Sequence, residues 1–525
     1  MRALFFFLLA GIAIPATAAT ECHGGKVFLD ANGNGRFDAR EKGLAGIRVS
    51  DGERIVVTDA SGDYQLETPS GHTTFLIKPA GFHVRARADG MPDSWTNVQL
   101  DAGPKLRYGG IPMNAAGCKD FALTRDKPGV SRKLEVLVFG DPQPKSLVDV
   151  GYYRRDIVAP LIGKQHAVLG ISLGDNVNDD LSLYPALKQI DASLGIPWLH
   201  APGNHDLDFD ADSDEHSLDS FRQAFGPDTF AWEEDQADFV VLDDVVYQPG
   251  KTPAYIGGLR EQQFAFLKAY LADAPKGRLL VLALHIPLFD IPVGTETFRH
   301  ADRERLFALL QPFPNVLVLS AHSHNQQHFF HGPGNGWRGE KPLHEYNVGT
   351  ACGAFWTGVK DAAGIPVATM SDGTPNGYAV LSVEQGRPAL RWHVARAPDD
   401  YQMALHAPKV LRRGAFPAFG IYANVFMGHE KTVVEYRIDG GDWKPMRRVL
   451  QGDPDLMAEN ARDDASAKLR GYDRSPEASP STHLWRGTLA TDIAIGTHRI
   501  DVRANIDDFG QAQATTSYRL DEASP

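Results

Sequence analysis

"SLGDNVND" (172–179) closes an apolar run, "HAVLGISLG" (166–174), and replaces it at once with short polar side chains. The run has the length and the aliphatic, β-branched composition of a buried strand, and it stops at Gly174. Gly, Asp and Asn are also the residues that tolerate tight turns, so taken alone the stretch reads as readily as a turn. The other reading is chemical. Strand ends in α/β sheets open into the crevice where ligands bind, and Asp175 would stand at such an end. Repetition elsewhere in the chain decides between the two.

The same pattern recurs from residue 133 onward. "KLEVLVFGD" (133–141), "IPWLHAPGNHD" (196–206), "ADFVVLDD" (237–244), "GRLLVLALHIP" (277–287), "NVLVLSAHSH" (315–324) and "LHEYNVGTACG" (343–353) are further buried-strand runs. Helical stretches lie between several of them, such as "LREQQFAFLKAYLAD" (259–273), with Phe264, Leu267 and Leu271 on one face. Strands alternating with helices predict an α/β layered core over 134–396. Its last pair of strands is a hairpin over 377–396, turning near Gln385-Gly386. Residues 20–124 are instead short alternating runs broken by Gly, Asp, Asn and Pro, the pattern of a β-sandwich, with 124–133 as a linker. Residues 397–525 return to β alternation around a polar excursion, "DPDLMAENARDDASAKLRGYDRSPEASPST" (453–482).

Composition narrows the class. A chain of 525 residues exceeds one hydrophobic core, and 43% hydrophobic with 23% charged residues is an ordinary globular balance. Lys and Arg number 53 against 66 acidic residues, a net charge of −13, and no basic block stands out. That excludes the electrostatic footprint of a nucleic-acid binder. "MRALFFFLLAGIAIPATAAT" (1–20) has one Arg, an apolar stretch of roughly a dozen residues and Ala16-Thr17-Ala18, which predicts a signal peptide over 1–19, cleaved after Ala18 or Ala19. No other run reaches the ~20 apolar residues of a membrane span, so a periplasmic or secreted protein without an anchor is expected. Of three cysteines, Cys22 and Cys118 bracket the first β region and are the natural disulfide, leaving Cys352 free.

The core strands end in a chemically consistent set. The first leads into Asp141 and Gln143, the second into Asp175, the third into Asn204, His205 and Asp206, and later ones into His285 and into His322 and His324. Each alone is weak evidence. So many strand ends supplying carboxylate, amide and imidazole groups are hard to reconcile with turns.

"GDPQ" (140–143), "GDNVN" (174–178), "GNHD" (203–206), His285 and "AHSH" (321–324) resemble, in order and separation, the motifs of the calcineurin-like metallophosphoesterases. The flanking modules resemble the N- and C-terminal domains of an exported bacterial branch of that superfamily. The resemblance implies a two-sheet α/β sandwich between two β-sandwich domains, and a dinuclear site of divalent transition metals (Mn, Fe or Zn). Asp141, Gln143 and His324 would hold one metal, Asn204, His285 and His322 the other, and Asp175 both. It further implies attack by a bridging hydroxide on a phosphomonoester or phosphodiester, with His205 as general acid and Asp206 orienting it. An N-cap is the other reading of Asp206. Asn178 would support its loop by hydrogen bonding.

Many members carry His where this chain has Gln143, and a neutral amide oxygen is a weaker, harder ligand than imidazole. Residue 321 is Ala where Gly is frequent, and the Tyr that purple acid phosphatases place after the bridging Asp is missing from "NVN". Cys352, Trp356 and Tyr378 flank the last core strands as candidates for lining a substrate cleft, with Tyr152 and Arg154 as further candidates for reaching a phosphate. "DANGNGRFDARE" (30–41) places Asp30, Asn32, Asn34, Arg36, Asp38 and Glu41 at EF-hand loop positions, with Gly35 sixth, so calcium is a further expected cofactor. The expected substrate is a phosphorylated small molecule or a lipid head group. The alternative is a cell-surface binding protein with an inactive core, against which the complete ligand set argues.

Overall fold

The computed structural model describes residues 23–114, 119–127, 133–416 and 419–522. The expected signal peptide and the expected Cys22–Cys118 pair lie outside the described residues, whereas Cys352 is free and buried.

Two sheets packed face to face form the centre. One orders Trp198–Ala201, Leu169–Leu173, Lys133–Phe139, Gly377–Glu384 and Arg387–Val394. Its first three strands are parallel, in a register that sets Val138 opposite Ile171 and Ile171 opposite Leu199. The expected hairpin closes it, running antiparallel to Lys133–Phe139. The other orders Phe230–Glu233, Ala237–Val241, Leu279–Ala283, Val316–Ser320, Leu343–Asn347 and Gln327–His331.

Period-two alternation explains why these apolar runs have no polar face. Val136 and Val138 pack with Ile171, Phe239, Val281 and Leu319 between the sheets. Leu137 and Phe139 point the other way, onto Tyr153, Ile157 and Leu187 of the outer helical layer. Helix Glu261–Asp273 buries Phe264, Phe266, Leu267, Tyr270 and Leu271 against the second sheet's outer face. The chemistry-bearing residues follow the C-terminal ends of the parallel strands, where the α/β layering leaves one open edge.

The modules at either end are each two sheets. The N-terminal one pairs Gly24–Leu29 with Phe121–Arg125, and Arg48–Ser50 with His72–Leu76, around Val27, Val49, Leu76 and Phe121. It docks through Lys78, whose ammonium is 2% exposed and donates to Glu233 O (2.9 Å) and Glu234 Oε1 (2.7 Å). The C-terminal module is built on the long hairpin Gly496–Ile506 and Gly510–Asp521 and on Gly420–Val425 with Leu484–Thr488. Its polar excursion contains helix Pro454–Asp464, started by Pro454 and by the Asp453 carboxylate, which accepts from Asp455 N and Leu456 N. Farther along, Gly471 forms an antiparallel bridge with Val359, and Gly358 N donates to Asp473 O (2.9 Å), so this strap lies against the core's edge. No helix among the described residues is long and apolar enough to cross a membrane.

Candidate metal centre

The backbone at the open edge is held in a conformation that side chains ordinarily avoid. Asp141 (φ 37°), Gln143 (40°), Asp175 (46°), His322 (69°) and His324 (50°) all have positive φ. Left-handed backbone costs a non-glycine residue about 1 kcal/mol or more, and persists where the surroundings over-determine it. Here it turns each strand end sharply, so that consecutive ends aim their side chains at one point.

Close approach packs the loops together. A Cβ on Gly203 would lie 2.1 Å from Asp175 N, and one on Gly174 would lie 2.6 Å from His285 Nδ1. Glycine lets the second and third strand ends touch, and His285 slides in beside them.

Asp175, His285 and His322 bring their ligand atoms within 4.8 Å of one another, the one such group of acidic, imidazole and thiol side chains among the described residues. His285 Nδ1 donates to Leu173 O (2.8 Å), which directs Nε2 inward. That nitrogen faces Asn204 Oδ1 (3.0 Å), His322 Nδ1 (3.2 Å) and Asp175 Oδ1 (3.4 Å). A proton on Nε2 serves one of these acceptors; a cation serves them all. On the other side His324 Nδ1 lies 2.8 Å from Gly353 O, leaving Nε2 at 3.6 Å from Asp141 Oδ2. Asp141 Oδ1 is buried without a hydrogen-bond partner. Bare acceptors converging in a buried place are the donor set of a cation site.

Electrostatics agree. Burial pushes Asp141 up to about 8, against the pull of His285. Burial also lowers His322 to about 3, helped by the His285 charge, and His324 to about 4, so both imidazoles are neutral, as ligands must be. Against burial, the carboxylates of Asp175, Asp141 and Asp244 raise His285 to about 10. The site attracts positive charge. Asp244, absent from the sequence reading, is buried and accepts from His285 N (3.0 Å) and Ile286 N (3.0 Å), holding that strand end in place.

Gln143 is inside the cluster, but its amide nitrogen faces Asp175 Oδ2 (3.2 Å) and its oxygen faces Cys352 Sγ (3.8 Å). In this orientation it is a donor to the central carboxylate, and ligation through oxygen requires the amide to turn over.

Asp206 does not orient His205. It is buried and accepts from Gly203 N (2.8 Å), Asn176 N (3.1 Å), Asn176 Nδ2 (3.0 Å) and Tyr184 OH (2.9 Å), which makes it the cap of its own turn. The partner of His205 is Asp179, whose Oδ1 lies 2.7 Å from Nδ1. Asp179 is the residue that follows the GDNVN motif (174–178). Asn178 supports its loop through its backbone, N donating to Pro144 O (3.1 Å), and Asn176 adds a side-chain bond to Ala201 O (2.9 Å).

The expected cleft residues separate. Trp356 is fully buried and its indole donates to Pro142 O (2.9 Å), pinning the first ligand loop from behind. Cys352 is fully buried beneath Gln143 and His324, so it underlies the centre and lines no cleft. Tyr378 stacks on His393 (5.2 Å) and lines a cavity of about 690 Å³ on the sheet's outer side, away from the ligands. Tyr152 is buried against Trp356, and Arg154 is exposed. The sequence reading missed Phe355, 37% exposed and stacked on His324 at 4.5 Å, and Tyr255, set edge-on to His322.

The expected calcium loop spends its ligands internally. Asp30 accepts from Gly33 N, Asn34 N and Gly35 N; Glu41 accepts from Ala31 N and Asp38 N. Asn32 and Asn34 donate to Asp38 Oδ2, Arg36 N donates to Asn34 Oδ1, and the Arg85 guanidinium donates to Asn34 O (2.9 Å). Asp30, Asp38 and Glu41 form no group converging like that of Asp175, His285 and His322. The loop is built as a run of Asx turns.

Sequence comparison agrees with this geometry. A calcineurin-like phosphoesterase model matches residues 134–326, preceded by the N-terminal model of such enzymes at 31–107 and followed by their C-terminal model at 345–512. The chain belongs to the calcineurin-like metallophosphoesterases, hydrolases of phosphoric esters whose dinuclear sites use divalent metal ions. Similar solved structures include a dimetal phosphatase from Danio rerio, 14% identical, covering 49% of this chain and 95% of that one at a TM-score of 0.34. Another is a purple acid phosphatase from yellow lupin seeds, 12% identical, covering 67% of each chain at a TM-score of 0.38. No curated protein matches the sequence significantly.

Proposed function

We propose that this protein is an exported phosphoesterase that cleaves a phosphomonoester or phosphodiester at the cluster centred on Asp175. Export rests on the leader-like sequence of residues 1–19. Asp141, Gln143 and His324 would hold one divalent cation, Asn204, His285 and His322 a second, and Asp175 would contact both. The convergence of three acceptors on His285 Nε2 carries this reading. Bound there, two cations supply Lewis-acid charge for the phosphoryl oxygens and lower the pKa of the attacking water.

The chain's own residues do the rest. His205 is 27% exposed at its side chain and held through Nδ1 by Asp179, so its Nε2 can deliver a proton to a departing alkoxide. Against burial, the Asp175 carboxylate and the hydrogen bond to Asp179 raise its pKa to about 9. His205 N donates to Asp175 Oδ1 (2.8 Å), tying the acid's backbone to the central carboxylate.

The test is turnover of phenyl phosphate and of bis(4-nitrophenyl) phosphate after chelation and after re-addition of Mn, Fe or Zn. Loss on chelation and return with one of these metals is expected. Failure to cleave either ester with every metal would favour the binding-protein alternative.

A further inference from the structure

Around Tyr472, next to the Phe355 ring that stacks on His324, two lysines stand outside any ion pair. Lys145 follows the first ligand loop, and Lys360 lies on the segment after the last; neither forms an ion pair among the described residues. Their ammonium groups are arranged around aromatic rings. Lys145 Nζ is 6.0 Å from the Phe355 ring centre and 5.5 Å from that of Tyr472, and Lys360 Nζ is 5.7 Å from both Tyr472 and Tyr152. Phe355 in turn stacks on His324 at 4.5 Å. Tyr472 belongs to the C-terminal module and reaches the rim because Gly471 is bridged to Val359 and Asp473 O accepts from Gly358 N. A T-shaped contact with Tyr152 (6.2 Å) holds the ring.

Asp149 is the carboxylate near both lysines. It is buried, one oxygen accepts from the backbone of Lys145 (3.0 Å), and the other has no partner. Burial raises its pKa despite the two lysines. In a chain of net charge −13, two lysines outside any ion pair around the Phe355 and Tyr472 rings are conspicuous. Aromatic faces hold an ammonium in position without neutralising it, leaving its charge for another anion.

We propose that Lys145, Lys360, Phe355 and Tyr472 form a ledge that binds a second anionic group on the substrate, beyond the phosphate being cleaved. The substrate class is therefore a phosphate ester that also bears a carboxylate or another phosphate. This rests on the phosphoesterase reading for the place of the scissile phosphate. The ledge makes the C-terminal module part of substrate selection, with Tyr472 as a positioning residue for the two lysines.

Binding to the metal-loaded protein tests the ledge without turnover. Phenylphosphonate and 4-carboxyphenylphosphonate are titrated calorimetrically, with hydrolysis of phenyl phosphate followed in parallel. Wild type should bind the carboxylated ligand roughly three- to tenfold more tightly, a preference that weakens with added salt. Lys145→Ala with Lys360→Ala should abolish the preference, Lys145→Arg should keep it, and Tyr472→Ala should reduce it more than Tyr472→Phe. No preference in wild type, or a preference surviving in the double alanine variant, overturns the ledge. Hydrolysis without the preference refutes the ledge alone; the preference without hydrolysis refutes the catalytic reading and leaves the ledge standing.

Discussion

Asp179 Oδ1 lies 2.7 Å from His205 Nδ1, and this contact, across a separation of 26 residues, fixes which face of the imidazole points outward. With Nδ1 held, Nε2 is the atom presented for proton transfer. His205→Ala should lower turnover of an alkyl phosphate by roughly 10²–10⁴ while the metals stay bound. An aryl phosphate with a good leaving group should lose much less. Equal losses would mean that His205 is not the acid.

Asp179→Asn should act through the same proton. The carboxylate helps to raise the His205 pKa, so its removal lowers that pKa. A general acid must be protonated, and the alkaline limb of kcat/KM should therefore move to lower pH. A pH–rate profile of the loaded enzyme checks this, and an unmoved limb would show the pair to be structural.

Asp175→Asn should loosen both cations, because a neutral amide cannot offset two positive charges. Metal content by mass spectrometry should fall together with turnover. Full occupancy at a normal rate would remove Asp175 from the centre.

Gln143 has a hydrogen bond in place of an evident ligand atom, and substitution separates the two roles. If its oxygen ligates, Gln143→His should tighten one metal step toward nitrogen-preferring metals, and Gln143→Ala should weaken that step more than the other. Metal titration of the three proteins reads both steps. If neither variant shifts either step, Gln143 serves only as a donor to Asp175.

Lys78→Met should destabilise the protein by about 3 kcal/mol, since a buried ion pair broken on one side leaves the other charge uncompensated. The site is remote from the ligands, so turnover at 25 °C should persist. Urea unfolding measures the effect; an unchanged midpoint would show that the Lys78 pair adds nothing to the docking of the N-terminal module.

Much of the core was legible because its strands are buried on both faces and end in reactive side chains. Asp141, Asp175, Asn204, His285, His322 and His324 all announce themselves at the end of an apolar run. The errors have one cause. Asp206 adjoins His205 in sequence, but a tight turn points neighbouring side chains apart, so its carboxylate caps the turn while Asp179 arrives from another loop. Cys352 and Tyr378 flank the last core strands in the chain but lie beneath or behind the site. Phe355 is the immediate neighbour of a named candidate, Trp356, and its left-handed backbone (φ 57°) swings it onto His324. Tyr472 could not be found locally at all, because its place depends on one bridge between modules. The calcium-like loop carries the right spacing, and its carboxylates accept backbone N–H groups in Asx turns.

The left-handed backbone at the ligand positions sets heat resistance against usefulness. Asp141→Gly would relieve a φ of 37° and remove a buried carboxylate whose Oδ1 has no partner. That change should raise the melting temperature of metal-free protein and end the activity of the metal-loaded enzyme. A breeding programme that rewarded thermal endurance alone would dismantle this enzyme first at its most important residues, and would record each loss as an improvement.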